Sequence, residues 1–192
     1  RGLGDVYKRQ LKKAMMVLAV TEGIGFQRGR RYAGMNVAFM DVTKAYYASK
    51  AVRKIYVKLP PGDHQDGMCG RVNQSIPGMR DAAKTWECEY SQTLIDIGFK
   101  RSKANPCSFY DSKRNIRIVV HGADFIVLAY PQMVEEVHQQ LAKKYEIAIR
   151  AQMGPGPNDN KTASILNRLL QWTDEGIWYE ADPRHAQILL NN

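Results

Sequence analysis

Two aspartates, Asp41 and Asp124, stand where apolar runs meet turns. Asp41 ends the run from Met35 to Val42, which carries Val37, Phe39 and Met40, and this pattern predicts a buried strand that delivers a carboxylate at its C-terminal end. Asp124 follows a His121-Gly122-Ala123 break between the runs Arg117 to Val120 and Phe125 to Leu128, the pattern of a β-hairpin with an acidic tip. A carboxylate between buried flanks requires a cation, a strong donor or water. The competing reading is a solvated turn aspartate, because Asp is common in turns. Two carboxylates at the ends of neighbouring strands are what two-metal phosphoryl transfer requires: hard Mg²⁺ ions prefer oxygen ligands and use few protein carboxylates. Spacing in the sequence does not by itself bring Asp41 and Asp124 together.

The elements that must position them follow a simple order. Leu11, Met15, Leu18 and Ala19 recur at helical spacing and stop at Gly23 and Gly25. Residues 1–10 fit no period, resemble a translated adapter tail, and are expected to be non-native, with the genuine chain starting near Leu11 and its N-terminal part missing. After Asp41, Thr43 to Lys50 reads as a loop or short helix. Lys54 to Leu59 alternates, predicting a half-exposed strand with Ile55, Val57 and Leu59 inward. Met79, Ala82, Ala83, Trp86, Tyr90, Leu94 and Ile97 share one helical face that ends at Gly98. Pro131 opens another helix carrying Val134, Val137, Leu141 and Tyr145, with His138 as a structural side chain. Gly154 to Asn160 reads as a flexible surface loop. Ile165 to Trp172 and Ile177 to Glu180 read as a second hairpin about residues 173–176, with a helix as the alternative for the first arm, and Asp182-Pro183 reads as the start of a last helix. The class expected is α+β, a small antiparallel sheet backed by helices.

The 192 residues are 44% hydrophobic, enough for one domain with a sizeable core or a domain plus a partial second lobe. No apolar run is long enough to span a bilayer, and an intracellular protein is the default expectation. Cys69, Cys88 and Cys107 form no CxxC pair, so neither a disulfide framework nor a thiolate zinc site is indicated, and the three are expected to be small buried hydrophobes. The net charge of +9 suits a polyanionic partner, against the alternative of a solvated basic surface. Ser108, His121 and Asp124 offer the residue types of a hydrolase triad without a nucleophile elbow.

Five ordered motifs carry a resemblance. Phe39-Met40-Asp41-Val42-Thr43-Lys44-Ala45-Tyr46 is similar to the Asp-Val-x-x-Ala-Phe/Tyr motif of reverse transcriptases in their copia-type retrotransposon form. Ile55 to Gly62, Ser75 to Trp86 and Asn105 to Tyr110 resemble further motifs of that family in the same order, and Val120-His121-Gly122-Ala123-Asp124 occupies the place of its Tyr-x-Asp-Asp hairpin. Ile165 to Leu190 matches the family's closing segment loosely. The similarity spans Leu11 to Leu190, so residues 11–192 are expected to form a partial reverse transcriptase domain, the palm and the start of the connection or thumb, with the fingers largely missing.

The resemblance implies an RNA-directed DNA polymerase palm acting on an RNA or DNA template-primer and deoxynucleotides, in a cytoplasmic virus-like particle or the nucleus. It implies Mg²⁺, or Mn²⁺, held by Asp41, Asp124 and the Val42 carbonyl. Tyr46 maps to an aromatic gate against the ribose 2′-hydroxyl, with Ala45, Gly78 and Arg80 lining the nucleotide pocket. Lys50, Arg53, Lys54, Lys84 and Arg101 are expected to track phosphates. Two substitutions depart from the pattern: Ala123 replaces the first hairpin aspartate, and Pro77 replaces a tyrosine. An impaired or inactive copy is therefore expected, with Ala123 facing the same point as the two aspartates. A non-catalytic basic nucleic-acid-binding module that keeps the fold is the alternative.

Overall fold

A computed structural model describes the backbone of residues 3–181 and the side chains of residues 10–180. In chain order the elements are α1 (Leu3–Ala19), β1 (Asn36–Val42), β2 (Tyr56–Val57), β3 (Gly70–Arg71), α2 (Ala82–Asp96), β4 (Lys100–Arg101), β5 (Ser108–Asp111), β6 (Ile116–His121), β7 (Asp124–Ala129), α3 (Pro131–Ala142), β8 (Ile147–Met153), β9 (Thr162–Ile165), β10 (Arg168–Trp172) and β11 (Ile177–Ala181). A 3₁₀ turn, Ala45–Ala48, follows β1. The class is α+β. Six strands form one antiparallel sheet in the order β4-β5-β6-β7-β1-β8, beside a β9-β10-β11 meander and a β2-β3 ribbon.

Between their polar ends, Asn36 and Asp41 in β1 and Asp124 in β7, these neighbouring strands are apolar because both faces of the sheet are covered. Alternate residues sort onto the faces. Ala38, Met40 and Val42 of β1 and Phe125, Val127 and Ala129 of β7 pack with Trp86, Tyr90 and Leu94 of α2 and Val134, Val137 and Leu141 of α3. Val37 and Phe39, with Ile126 and Leu128, pack on the other face against Met15, Met16 and Ala19 of α1 and against Ala163, Leu170 and Trp172 of the meander. Each such side chain, fully buried, contributes about 1.5–3 kcal/mol of transfer free energy. The register is fixed by the same pattern, since a one-residue slip would exchange the two faces. Trp86 is the hub of the first cluster, edge-on to Tyr90 at 5.4 Å and to Tyr145 at 5.2 Å between ring centroids.

Several expectations are corrected. The first helix begins at Leu3, ahead of the periodicity that starts at Leu11. The strand expected over residues 54–59 is only Tyr56–Val57, and Val57 is exposed rather than inward, because its ribbon partner β3 is itself only two residues long. Only Cys107 is buried; Cys69 and Cys88 are exposed. The loop at 154–160 is tied down: Asn36 Nδ2 donates to Asp159 Oδ1 at 2.8 Å, and Lys161 Nζ donates to the carbonyls of Gly154 and Gly156, each at 2.7 Å. The hairpin expected about residues 173–176 is formed by β10 and β11, with Trp172 opposite Ile177, but its first arm begins at Arg168 rather than Ile165. Leu166 and Asn167 both take positive φ, 51° and 59°, as a two-residue type I′ connection demands, and they turn β9 into β10. The helix expected from Asp182 lies outside the described residues. No helix among them is long and apolar enough to cross a membrane.

Candidate functional site

Asp41 and Asp124 are direct cross-strand partners in the β1–β7 ladder. Directly opposed residues in an antiparallel pair have their Cβ atoms about 4.5–5.5 Å apart on one face, so the two carboxylates, 83 positions apart in sequence, share a single site. By alternation from Phe39 and Ile126 that face is the one covered by α1. The hairpin tip is held in place by two bonds. Trp86 Nε1 donates to the Gly122 carbonyl at 2.8 Å, and Val42 N donates to the Ala123 carbonyl at 3.1 Å. Gly122 supplies the positive φ, 64°, that a two-residue II′ turn needs at its first position.

The charges around the pair are unequal. Burial, and next the negative charge of Asp41, push the Asp124 carboxyl above its usual range, while Lys12 and Arg150 pull it back. Lys12 is a buried residue of α1. Arg150 Nη2 donates to Asp41 Oδ2, and that bond together with the charge of Asp41 raises the guanidinium above its ordinary value. The placement of Arg150 is local. In β8, Ala151 pairs with Phe39 and Ile149 with Met40, so Arg150 is the extra residue of a β-bulge. Bulges re-aim side chains beside functional sites, and here the effect is to set a guanidinium on the carboxylate pair.

Neither Lys12 nor Arg150 emerges from the motifs. For Arg150 a signal exists: Ile147, Ile149, Ala151 and Met153 alternate with smaller or polar residues, a strand pattern with an arginine in the fourth position. For Lys12 nothing in the sequence distinguishes it from Lys13.

The remaining candidates separate into groups. Ala123 is the second residue of the two-residue turn between β6 and β7, and its methyl packs against the cluster shared with α2 and α3. The Val42 and Ala45 side chains are buried in that cluster. Tyr46 is half-buried against it and, with Lys84, Trp86, His121 and Gly122, lines a cavity of about 390 Å³ beside the hairpin tip. Gly78 (φ 94°) and Arg80 are exposed in the turn before α2. Lys50, Arg53 and Lys54 come together in a groove of about 960 Å³, joined by Arg71, which the motifs did not indicate. Arg53 is forked onto Asp81 at 2.8 and 2.9 Å. Lys84 and Arg101 lie apart from that groove and both meet Glu87. His138 Nε2 lies 3.2 Å from the Ile147 carbonyl, a structural contact. Ser108 is a strand residue opposite Val119, not the apex of a turn, and supports no hydrolase triad.

Two opposed carboxylates suit one hard divalent ion whose remaining positions are filled by water or phosphate oxygens. Among the described residues no group of three or more His, Cys, Asp or Glu side chains is placed to hold a metal. The donor set therefore fits one ion and falls short of what two would need.

Two comparisons with known proteins bear on this arrangement. The family model described as "Reverse transcriptase (RNA-dependent DNA polymerase)" matches residues 31–154, more than half of the chain. That range contains both aspartates, the hairpin and α2. A transposon Ty5-1 protein of Saccharomyces cerevisiae is 30% identical over 114 residues, 56% of this chain and 37% of the yeast protein. The chain thus spans well under half the length of that relative.

Proposed function

Since the chain belongs to the reverse transcriptases of copia-type retrotransposons, we propose that its six-stranded sheet is a polymerase palm and that Asp41 and Asp124 are the surviving carboxylates of a nucleotidyl-transfer centre. The observation that carries this reading is the register pairing of Asp41 with Asp124. When bound, a divalent ion, Mg²⁺ or Mn²⁺, would supply charge neutralisation at the reacting phosphate and activation of the primer 3′-hydroxyl. The chain's own part is positioning. Asp41 and Asp124 would hold the ion, with the Val42 carbonyl as a further oxygen, and the bond from Trp86 to Gly122 fixes the hairpin that presents Asp124. Tyr46 stands against the sugar and disfavours a 2′-hydroxyl. Ala45 supports Tyr46 by packing, and Gly78 and Arg80 border the nucleotide. Lys50, Lys54 and Arg71 follow the phosphates of an RNA or DNA template-primer, whereas Arg53, forked onto Asp81, and Lys84 and Arg101, paired with Glu87, contribute less.

Ala123 offers no oxygen where the family motif has a carboxylate. The centre then lacks a ligand for a second ion, and turnover falls by orders of magnitude. The test is single-nucleotide incorporation on an RNA template with a DNA primer. Trace incorporation is expected from the unaltered chain, a gain from Ala123→Asp, and loss of that gain on adding Asp41→Asn. Equal incorporation with and without Ala123→Asp refutes the lesion, and incorporation that survives Asp41→Asn refutes the site.

The groove of Lys50, Arg53, Lys54 and Arg71 favours a second reading, a nucleic-acid-binding module without catalysis. Its signature is duplex affinity that falls steeply with salt and is indifferent to Asp41→Asn.

A further inference from the structure

We propose that Arg150 is a built-in counter-ion for the carboxylate pair, a guanidinium that occupies Asp41 in the absence of a divalent ion and must leave before one is bound; this rests on reading Asp41 and Asp124 as an ion-binding centre. Two carboxylates held face to face repel each other, and without a cation one of them tends toward the protonated form. The fold provides two cations of different character. Lys12 is fixed in α1 and buried. Arg150 is its opposite, with a side chain 64% exposed against 23% for Asp41, so it leaves the carboxylate for water with little loss of packing.

The bulge is what makes Arg150 available. Were β8 to pair with β1 without it, the residue opposite Asp41 would be Ile149; with it, the partner is Ala148, whose methyl leaves the space beside the carboxylate open to the guanidinium. An arginine's planar donors match a carboxylate better than a lysine's ammonium does. Arg150 is therefore a positioning residue. It keeps Asp41 oriented and charge-balanced between bound states, and it lowers the affinity of the pair for a divalent ion by competing for the same oxygen.

The test is Mn²⁺ binding to the full chain at constant ionic strength, read from the electron paramagnetic resonance signal of free Mn²⁺. An exposed ion pair of this kind sets the scale of the competition at about fivefold. Arg150→Gln is expected to bind Mn²⁺ about fivefold more tightly than the unaltered chain. Lys13→Gln, which removes the same charge from an exposed position on α1, is expected to leave binding unchanged. The double variant Asp41→Asn/Arg150→Gln is expected to lose the gain. Should Arg150→Gln fail to fold, Arg150→Lys, which replaces the planar guanidinium with an ammonium, gives the same readout with a smaller gain. If Arg150→Gln binds no more tightly than the unaltered chain, or Lys13→Gln shows the same gain, the counter-ion role is overturned and the ion-binding centre stands. If no variant binds Mn²⁺, both are overturned.

Discussion

Replacing Asp124 with Asn is expected to stabilise the fold at neutral pH. The Asp124 carboxylate is half-buried and directly opposite Asp41, and like charges in a cross-strand pair cost roughly 0.2–1 kcal/mol. Arg150 and Lys12 offset part of that repulsion, while burial of the charge adds to it. A net gain of about 1 kcal/mol is the reasonable scale, and for a chain of this length it corresponds to a rise of roughly 2–4 °C in Tm. The pH dependence separates this electrostatic cause from a change in packing. Burial and Asp41 raise the Asp124 carboxyl, so the folded chain holds that proton more tightly than the unfolded chain. The group's stabilising contribution is complete below the ordinary aspartate value of about 4 and is lost as pH rises through the raised value. Thermal unfolding followed by circular dichroism should therefore show no charge-dependent advantage for Asp124→Asn in acid and a growing one toward neutrality. Asp41→Asn is expected to be near neutral at pH 7, because relief of repulsion is balanced by loss of the Arg150 pair. An Asp124→Asn chain less stable than the parent at pH 7, or a difference that ignores pH, refutes the reasoning.

Trp86→Phe keeps a ring in the core but loses the bond to Gly122, at a cost of about 2 kcal/mol and roughly 4–8 °C in Tm. Hydrogen exchange at Val42 N, which is bonded to the neighbouring Ala123 carbonyl, should accelerate in that variant. Arg114 donates to Asp111 at 2.6 Å, to Glu136 at 2.7 Å and to the Ile97 carbonyl at 2.7 Å, so Arg114→Ala should cost about 2–3 kcal/mol at pH 7. Burial works against the Asp111 charge, but bonds from Arg114 and from the backbone of Arg114 and Lys113 outweigh it and hold the carboxyl below its usual range; its contribution is present above pH about 4 and fades as pH falls through the lowered value. Melts from pH 7 to 3 should show the Arg114→Ala difference shrinking. Substituting Lys50 and Arg71 together by Gln should weaken duplex binding and reduce the slope of log affinity against log salt by about 2, as measured by fluorescence anisotropy at several salt concentrations.

The elements nearest the site were the most legible in the sequence, for a physical reason. The strands carrying Asp41 and Asp124 are covered on both faces, so their burial is written as continuous apolar runs, and α2 and α3 have an apolar face facing the sheet that repeats at helical spacing. What was not legible is whatever depends on pairing. Strand β8 is only partly buried, its pattern is weak, and the bulge that delivers Arg150 exists only in relation to β1. Strand β4 is two residues long, too short to have a period. The Leu166-Asn167 turn lacks the glycine that usually announces a type I′ turn, and the loop at 154–160 reads as open from its glycines and prolines until Asn36 and Lys161 reach it from elsewhere in the chain.

The claim on which the account depends is that Asp41 and Asp124 make one centre for a divalent ion. Anomalous scattering from crystals of the unaltered chain soaked in Mn²⁺ tests it most directly. A single manganese peak is expected between the two carboxylates, within about 2.0–2.2 Å of an oxygen from each, as in compact oxygen-ligated sites, with the Arg150 guanidinium displaced from Asp41. A map with no peak at the pair while Arg150 remains on Asp41, or with manganese only at other acidic groups, would contradict it.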